Sequence, residues 1–146
     1  MRAVVQRARS GRVLVGEKVV GELSAPGLVV LVGVKNGDTP SDSAALAERL
    51  WHLRVLEDDE GKMNRSCAEL DAPLLVVSQF TLYADTRKGR RPSFVAAMPG
   101  KGAEPLVDEV VRALRRLGAT VATGLFGADM QLELVNDGPV TVILES

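Results

Sequence analysis

The chain has 146 residues, with 18 basic and 19 acidic side chains and a net charge of −1. That length fits one domain with a real hydrophobic core, and so even a balance excludes a global field that draws the protein to nucleic acid or membrane, leaving only a local patch to do so. The single Cys67 excludes an internal disulfide, Met1-Arg2-Ala3-Val4-Val5-Gln6-Arg7 is too short an apolar run for a signal peptide, and the longest near-pure apolar run, Leu28 to Val34, falls far below the roughly 18 residues of a membrane span. The expectation is a soluble cytoplasmic protein.

In chain order, Arg2 to Arg7, Arg12 to Val15, Lys18 to Leu23 and Leu28 to Val34 read as short strands, rich in Val and Leu and separated by turn formers such as Ser10-Gly11 and Ala25-Pro26-Gly27. Their succession predicts an antiparallel meander. Thr39-Pro40-Ser41-Asp42 supplies an N-cap, a proline at the first helical position and an acid in the first turn, so a helix is expected from Pro40 to about Leu56, ended by Glu57 to Gly61. Lys62 to Cys67 suggests a further short strand. Leu74 to Leu82 begins with four apolar residues and reads as a strand buried on both faces.

Tyr83 to Gly102 is polar and glycine-bearing, expected to be irregular with one helical turn near Ser93 to Ala97; loops of that length are often functional. Ala103 to Leu117 has a clear apolar face, with Arg115 and Arg116 in its last turn and Gly118 beyond it. Val121 to Phe126, Met130 to Leu134 and Val140 to Leu144 are the closing strands, interrupted by Asn136-Asp137-Gly138-Pro139, which can serve as a turn, a bulge or a shaped backbone surface. The sum is a mixed α/β single domain over residues 1–146: a curled, barrel-like, largely antiparallel sheet carrying two main helices.

The end of the Leu74 strand is the first site candidate, because Ser78, Gln79 and Thr81 follow buried residues, and an unpaired buried polar group costs about 1–3 kcal/mol. A hydroxyl nucleophile needs a base, however, and His52, the only histidine, lies mid-helix beside Trp51, where a packed or surface role suffices. One Cys and one His do not make a zinc site, and no Walker lysine motif or dinucleotide fingerprint is present, so no metal or cofactor is expected. Arg87, Lys88, Arg90 and Arg91 form a basic loop suited to phosphate contacts, with a solvated loop as the plain alternative.

Ser78-Gln79-Phe80-Thr81-Leu82 together with Asn136-Asp137-Gly138-Pro139-Val140-Thr141 closely resembles the two signature motifs of the D-aminoacyl-tRNA deacylases. Gln6-Arg7, Gly61-Lys62-Met63-Asn64, Ala84-Asp85-Thr86, Arg91-Pro92-Ser93-Phe94 and Phe126-Gly127-Ala128-Asp129-Met130 extend the resemblance over nearly the whole chain. The resemblance implies a homodimer with active sites at the interface, hydrolysing the ester between a D-amino acid, or glycine mischarged onto tRNA(Ala), and the 3′-terminal adenosine of tRNA. It also implies that Gly138 and Pro139, joined by a cis peptide, enter the partner's pocket, capture the substrate amino group through backbone carbonyls and exclude an L side chain, with Arg7 orienting them. Ser78, Gln79, Phe80 and Thr81 would line the scissile ester, mainly through backbone groups, Ala103, Phe126, Gly127 and Met130 would frame the adenosine, and Asn136 falls within the substrate-binding motif. The 2′-hydroxyl of the terminal ribose would assist the attacking water. The alternatives are an editing variant acting on L-alanyl-tRNA and a non-catalytic RNA-binding module that uses the basic loop.

Overall fold

The computed structural model describes residues Met1–Ser146. Its longest paired unit is the strand β1 (Arg2–Val15), on which most of the sheet is assembled. One edge of β1 pairs antiparallel with β8 (Gln131–Glu145), from Arg2 opposite Glu145 to Leu14 opposite Gln131. The other edge is shared: Arg12 to Val15 pair with β2 (Lys18–Glu22), and Arg2 to Ala8 pair with β3 (Gly27–Gly33), both antiparallel. The sheet continues in parallel, from β3 to β6 (Leu74–Ser78) and from β6 to β7 (Val121–Thr123). β2 then approaches β7 so closely that a Cβ on Gly21 would stand 2.0 Å from the carbonyl oxygen of Thr123. Only glycine permits that contact, and it brings the curled sheet nearly to closure.

The helices lie outside this barrel-like sheet: α1 (Pro40–Trp51), the short α2 (Cys67–Leu70) and α3 (Gly100–Arg116), with a small separate pair β4 (Leu56–Glu57) and β5 (Met63–Arg65) beside them. Strand alternation divides the apolar residues between two cores. Leu28, Val30 and Val32 of β3 and Leu74 and Val76 of β6 face the helices and meet Leu46 and Leu50 of α1 and Leu106, Val110 and Leu114 of α3. Val29, Leu75 and Val77 point the other way, into the barrel, with Ala8, Val13 and Leu23. Each fully buried leucine or valine contributes about 1.5–3 kcal/mol relative to exposure, so burial on both faces makes β3 and β6 the stiffest part of the sheet. No helix is long and apolar enough to cross a membrane.

Several boundaries differ from the sequence reading. The first two expected strands are one, because Gly11 stays in the ladder opposite Leu134 and its carbonyl accepts from Leu23 N–H at 2.9 Å instead of opening a turn. There is no meander, since β3 pairs with β1 and not with β2, and the β3-β6-β7 segment is parallel. α1 keeps its capping box, with Thr39 and Asp42 bonded reciprocally, but stops at Trp51; the apolar residues beyond it, Val55 and Leu56, are buried in an extended segment. The expected strand over Lys62 to Cys67 shortens to β5, because Ser66 and Glu69 form a capping box that starts α2. β6 ends at Ser78 and the chain winds into a 3₁₀ turn over Phe80–Tyr83. The turn expected near Ser93 is closed by Ala97 N–H to Phe94 O at 3.0 Å, α3 begins three residues early at Gly100, and β7 ends at Thr123 rather than Phe126. Most consequentially, β8 runs unbroken through Asn136-Asp137-Gly138-Pro139, which is a bulge within one strand and not a turn between two.

Candidate active site

The end of β6 forms one wall of a cleft of about 590 Å³. Gln79 N–H donates to Val32 O at 2.7 Å, which carries the parallel pairing one residue past the strand and fixes where the 3₁₀ turn starts. β1 braces that turn from behind: Arg2 Nη1 donates to Leu82 O at 2.6 Å and the guanidinium stacks over the Tyr83 ring at 5.0 Å. Burial, helped by the negative charge of Asp38, pushes the Tyr83 hydroxyl up to about 12, so it remains neutral in the physiological range. Ser78, Gln79 and Phe80 line the cleft, and Ala103 of α3 with Phe126, Gly127 and Met130 from the segment between β7 and β8 line it opposite. Seven of the residues expected at the ester and the adenosine are therefore brought together.

Thr81 is not among the lining residues. Its side chain is exposed and its hydroxyl accepts a hydrogen bond from the Gln79 amide. Asp129 is the only ionisable side chain lining the cleft, and His52 lies elsewhere, exposed on α1 beside Glu48 at 3.5 Å. The cleft thus offers hydroxyl, amide and backbone groups against an apolar background, with no imidazole to activate a nucleophile. No three His, Cys, Asp or Glu side chains are grouped to hold a metal. Cys67 is buried, and burial pushes its thiol up to about 12, far from a reactive thiolate.

Phe94, which the resemblance includes without a role, and Met98 and Pro99, which sequence reasoning did not single out, also line the cleft. Phe94 meets Phe80 edge-to-face, with ring centroids 5.1 Å apart, a geometry that steadies both rings at the cleft mouth. An isolated aromatic within a polar, irregular segment was the available signal.

The second motif occupies a different place. Gly138 and Pro139 are exposed, their peptide bond is cis, Gly138 has φ +121°, and neither residue lines the cleft of its own chain. Arg7, 7% exposed, holds the bulge from beneath: Nε donates to Asp137 O and lies 3.3 Å from the Asp137 carboxylate, Nη1 donates to Val55 O at 3.1 Å, and Nη2 pairs with Glu57 at 3.1 Å. Asn136 spans the neck of the bulge, its amide donating to Arg7 O at 2.9 Å and Val140 O at 3.0 Å. Those two carbonyls are the ones that the bulge takes out of regular pairing. Asn136 is therefore a structural bridge within the motif, with its donors already engaged.

The basic loop lies between the Asp85–Ser93 bridge. Asp85 ties back Arg87 through a two-pronged contact, Nε to Oδ1 at 2.9 Å and Nη2 to Oδ2 at 2.7 Å, and those bonds hold the Asp85 carboxyl down to about 2. Lys88, Arg90 and Arg91 are exposed and have no carboxylate within ion-pair distance. Of the four cations expected to meet phosphate, three are free to do so.

A strand end feeding an apolar cleft and a braced glycine-proline bulge stand on one curled sheet backed by helices, and the comparisons with known proteins put this chain in the class of tRNA deacylases. The family model described as D-Tyr-tRNA(Tyr) deacylase matches residues 4–145. Proteins named D-aminoacyl-tRNA deacylase from Streptomyces coelicolor and Thermobifida fusca are each 59% identical over 145 residues, covering 99% of both chains. The solved structure of a protein named c-Myc DNA Unwinding Element Binding Protein superposes with a TM-score of 0.93 at 37% identity, covering 100% of this chain and 99% of that one. A probable eukaryotic D-amino acid tRNA deacylase shares the fold, with a TM-score of 0.82 at 20% identity over 98% and 97% of the two chains. The chain belongs to the D-Tyr-tRNA(Tyr) deacylase family, a family of hydrolases.

Proposed function

We propose that this protein hydrolyses the ester linking a D-amino acid to the 3′-terminal adenosine of tRNA, and that it does so as a homodimer in which each cleft is completed by the Gly138-Pro139 bulge of the other subunit. The observation that carries this reading is the separation of the two motifs. Ser78, Gln79 and Phe80 line an open cleft, while the exposed Gly138 and Pro139, braced by Arg7 and Asn136, have no cleft to fill in their own chain. A second copy supplies the missing half of each site. Backbone carbonyls of the bulge then receive the substrate amino group, and the same backbone leaves no volume for a side chain of L configuration. Such a wall rejects every L side chain whatever its chemistry. Glycine has no side chain to reject, so glycyl-tRNA(Ala) is admitted.

Chemistry in this cleft proceeds without a protein base. The N–H of Phe80, the first of the 3₁₀ turn and on a residue that lines the cleft, precedes any acceptor within the turn and is the donor offered to the oxyanion of a tetrahedral intermediate. One such donor contributes on the order of 10²–10³ in rate. The ribose 2′-hydroxyl of the substrate assists the water that attacks the carbonyl carbon; the ester C–O bond then breaks, the 3′-oxygen leaves protonated and the free amino acid departs. Ala103, Phe126, Gly127 and Met130 hold the adenosine, and Lys88, Arg90 and Arg91 meet tRNA phosphates.

The test is deacylation of D-tyrosyl-tRNA and L-tyrosyl-tRNA under matched conditions. The expected result is rapid loss of the D ester alone, unaffected by chelator; equal rates for the two esters overturn the reading. The name of the 37% identical relative, a DNA-binding protein, favours a second reading in which the fold binds nucleic acid without turnover. Binding of uncharged tRNA with no hydrolysis of any aminoacyl ester would select it, and preferential hydrolysis of L-alanyl-tRNA would mark an editing variant.

A further inference from the structure

Behind the Ser78 and Phe126 side of the cleft, a second pocket of about 220 Å³ opens between α3 and the ends of β6 and β7. It shares Ser78, Val107 and Phe126 with the cleft, so the two spaces adjoin through those residues. Its lining is of another character. Asp108, Val111, Arg112 and Arg115 come from one face of α3, at i, i+3, i+4 and i+7, and Thr123 and Gly124 from the end of β7 face them.

Both cations here are held in place, and one of them has no carboxylate partner. Arg115 donates from Nη2 to Val121 O at 3.0 Å, which anchors the guanidinium at the start of β7, and no carboxylate lies within 4.0 Å of it. Arg112 pairs with Glu109 at 2.9 Å, but Glu109 is shared with Arg116 at 2.5 Å. Asp108 makes no ion pair, and the hydroxyls of Ser78 and Thr123 have no hydrogen-bond partner within the chain. One unpaired guanidinium, a second whose carboxylate is shared with Arg116, and two free hydroxyls outweigh the single lining carboxylate and make a site for an anion. A fork of Arg donors matches the oxygens of a phosphate, and the volume admits one.

We propose that this pocket is a phosphate subsite, in which Arg112 and Arg115 hold the phosphodiester on the 5′ side of the terminal adenosine. The proposal rests on the aminoacyl-tRNA reading and adds to it a contact outside both family motifs and the basic loop. With the adenosine in the cleft and its 5′-phosphate in the adjoining pocket, the terminal nucleotide is gripped on both sides of the ribose that carries the ester. Its position relative to the 3₁₀ turn is then fixed by α3 and not by the loop.

The experiment compares two non-hydrolysable probes that differ by one group: 3′-(D-tyrosylamino)-3′-deoxyadenosine and its 5′-monophosphate. The wild-type protein is expected to bind the phosphorylated probe about tenfold more tightly, the size of one charge-assisted contact, with the gain shrinking as salt rises. Arg115→Gln and Arg112→Gln are each expected to remove most of that gain. Equal affinity of the wild type for the two probes overturns the subsite, as does an equal loss for both probes in the variants or a gain that survives them. Should Arg115→Gln fail to fold for want of its bond to Val121, Arg112→Gln carries the test, because Arg112 is bonded to Glu109 on the same helix. If the wild type binds neither probe, the aminoacyl-tRNA reading itself falls, a result distinct from binding both probes equally.

Discussion

The end of β6 and the bulge of β8 lie on opposite sides of β1 and at different heights along it: Ser78 is aligned through Val32 with Ala3, whereas the bulge lies beside Arg7 and Ala8. The first region gets its stiffness from apolar burial on both faces of β6, with Arg2 on Leu82 O as the one polar side-chain brace behind its turn. The second has little burial and gets its shape from hydrogen bonds, with Arg7 and Asn136 satisfying the backbone that the bulge displaces. A concave site can be specified by packing, whereas an exposed backbone surface needs polar braces. The two regions are therefore expected to fail in different ways.

Substitutions can pull the two apart. Leu75→Ala removes a fully buried side chain from the barrel interior, where it packs with Val77 of the cleft wall, and is expected to cost about 2–5 kcal/mol of stability in denaturant titration. A loss below 1 kcal/mol would mean that packing does not set the cleft. Gly138→Ala places a Cβ 2.8 Å from the Val140 side chain, at a positive φ that L residues resist, with a local cost of about 1–3 kcal/mol. Single-turnover deacylation is expected to fall about 100-fold or more while adenosine binding in the cleft is kept, since the damage is confined to the bulge; loss of both would erase the distinction.

Arg7→Lys keeps the charge but loses the fork that reaches Asp137, Val55 and Glu57 together, leaving acceptors unpaired at about 1–3 kcal/mol. Activity is expected to drop about tenfold or more, with discrimination against L-tyrosyl-tRNA weakened at the same time; unchanged discrimination would separate Arg7 from the bulge. Thr81→Ala is expected to retain most activity, in contrast to the loss on the order of 10⁶ that follows removal of a true nucleophile.

The smallest effect concerns the loop. With Lys88, Arg90 and Arg91 free and Arg87 tied, the loop should contribute about −2 to the slope of log tRNA binding against log salt, from roughly 0.7 per single-strand phosphate, and Asp85→Asn should steepen it by about 0.7 by releasing Arg87. Because the Asp85 pKa is lowered in the folded chain, its contribution is complete above the ordinary carboxylate range and is lost only as pH falls towards about 2. The slope of the wild type should therefore be insensitive to Asp85 between pH 5 and pH 8.

The buried run at Leu74 to Val77 and the apolar face of α3 were readable because burial repeats with a period that local sequence carries. The boundaries that went astray were those set by partners far along the chain. Asn136-Asp137-Gly138-Pro139 has the composition of a turn, and only the acceptors Arg7 O and Val140 O turn it into a bulge. The end of α1 at Trp51 has no glycine or proline to announce it; Val55 and Leu56 are drawn instead into the core and into pairing with Arg65. α2 did have its signal, Ser66 with Glu69 three residues on, but so short a helix offers no periodicity to support it. Among the site residues, Ser78 to Phe80 and the glycine-proline pair stood out by motif, whereas Phe94, Met98 and Pro99 enter the cleft through the path of an irregular segment that no periodic rule describes.

The ladder between β1 and β8 joins residues 2–14 to residues 131–145, nearly the full span of the chain. While the protein is being made on the ribosome, the apolar cleft can begin to gather from β3 and β6, yet one edge of β1 has nothing to pair with until β8 emerges. Non-local pairing of this kind is slow, and an unpaired edge invites association with other chains. The bulge forms together with that pairing. On the function proposed above, the surface that excludes L side chains is thus one of the last parts of the chain to form, and a nascent form able to hold adenosine earlier would do so before it could tell D from L.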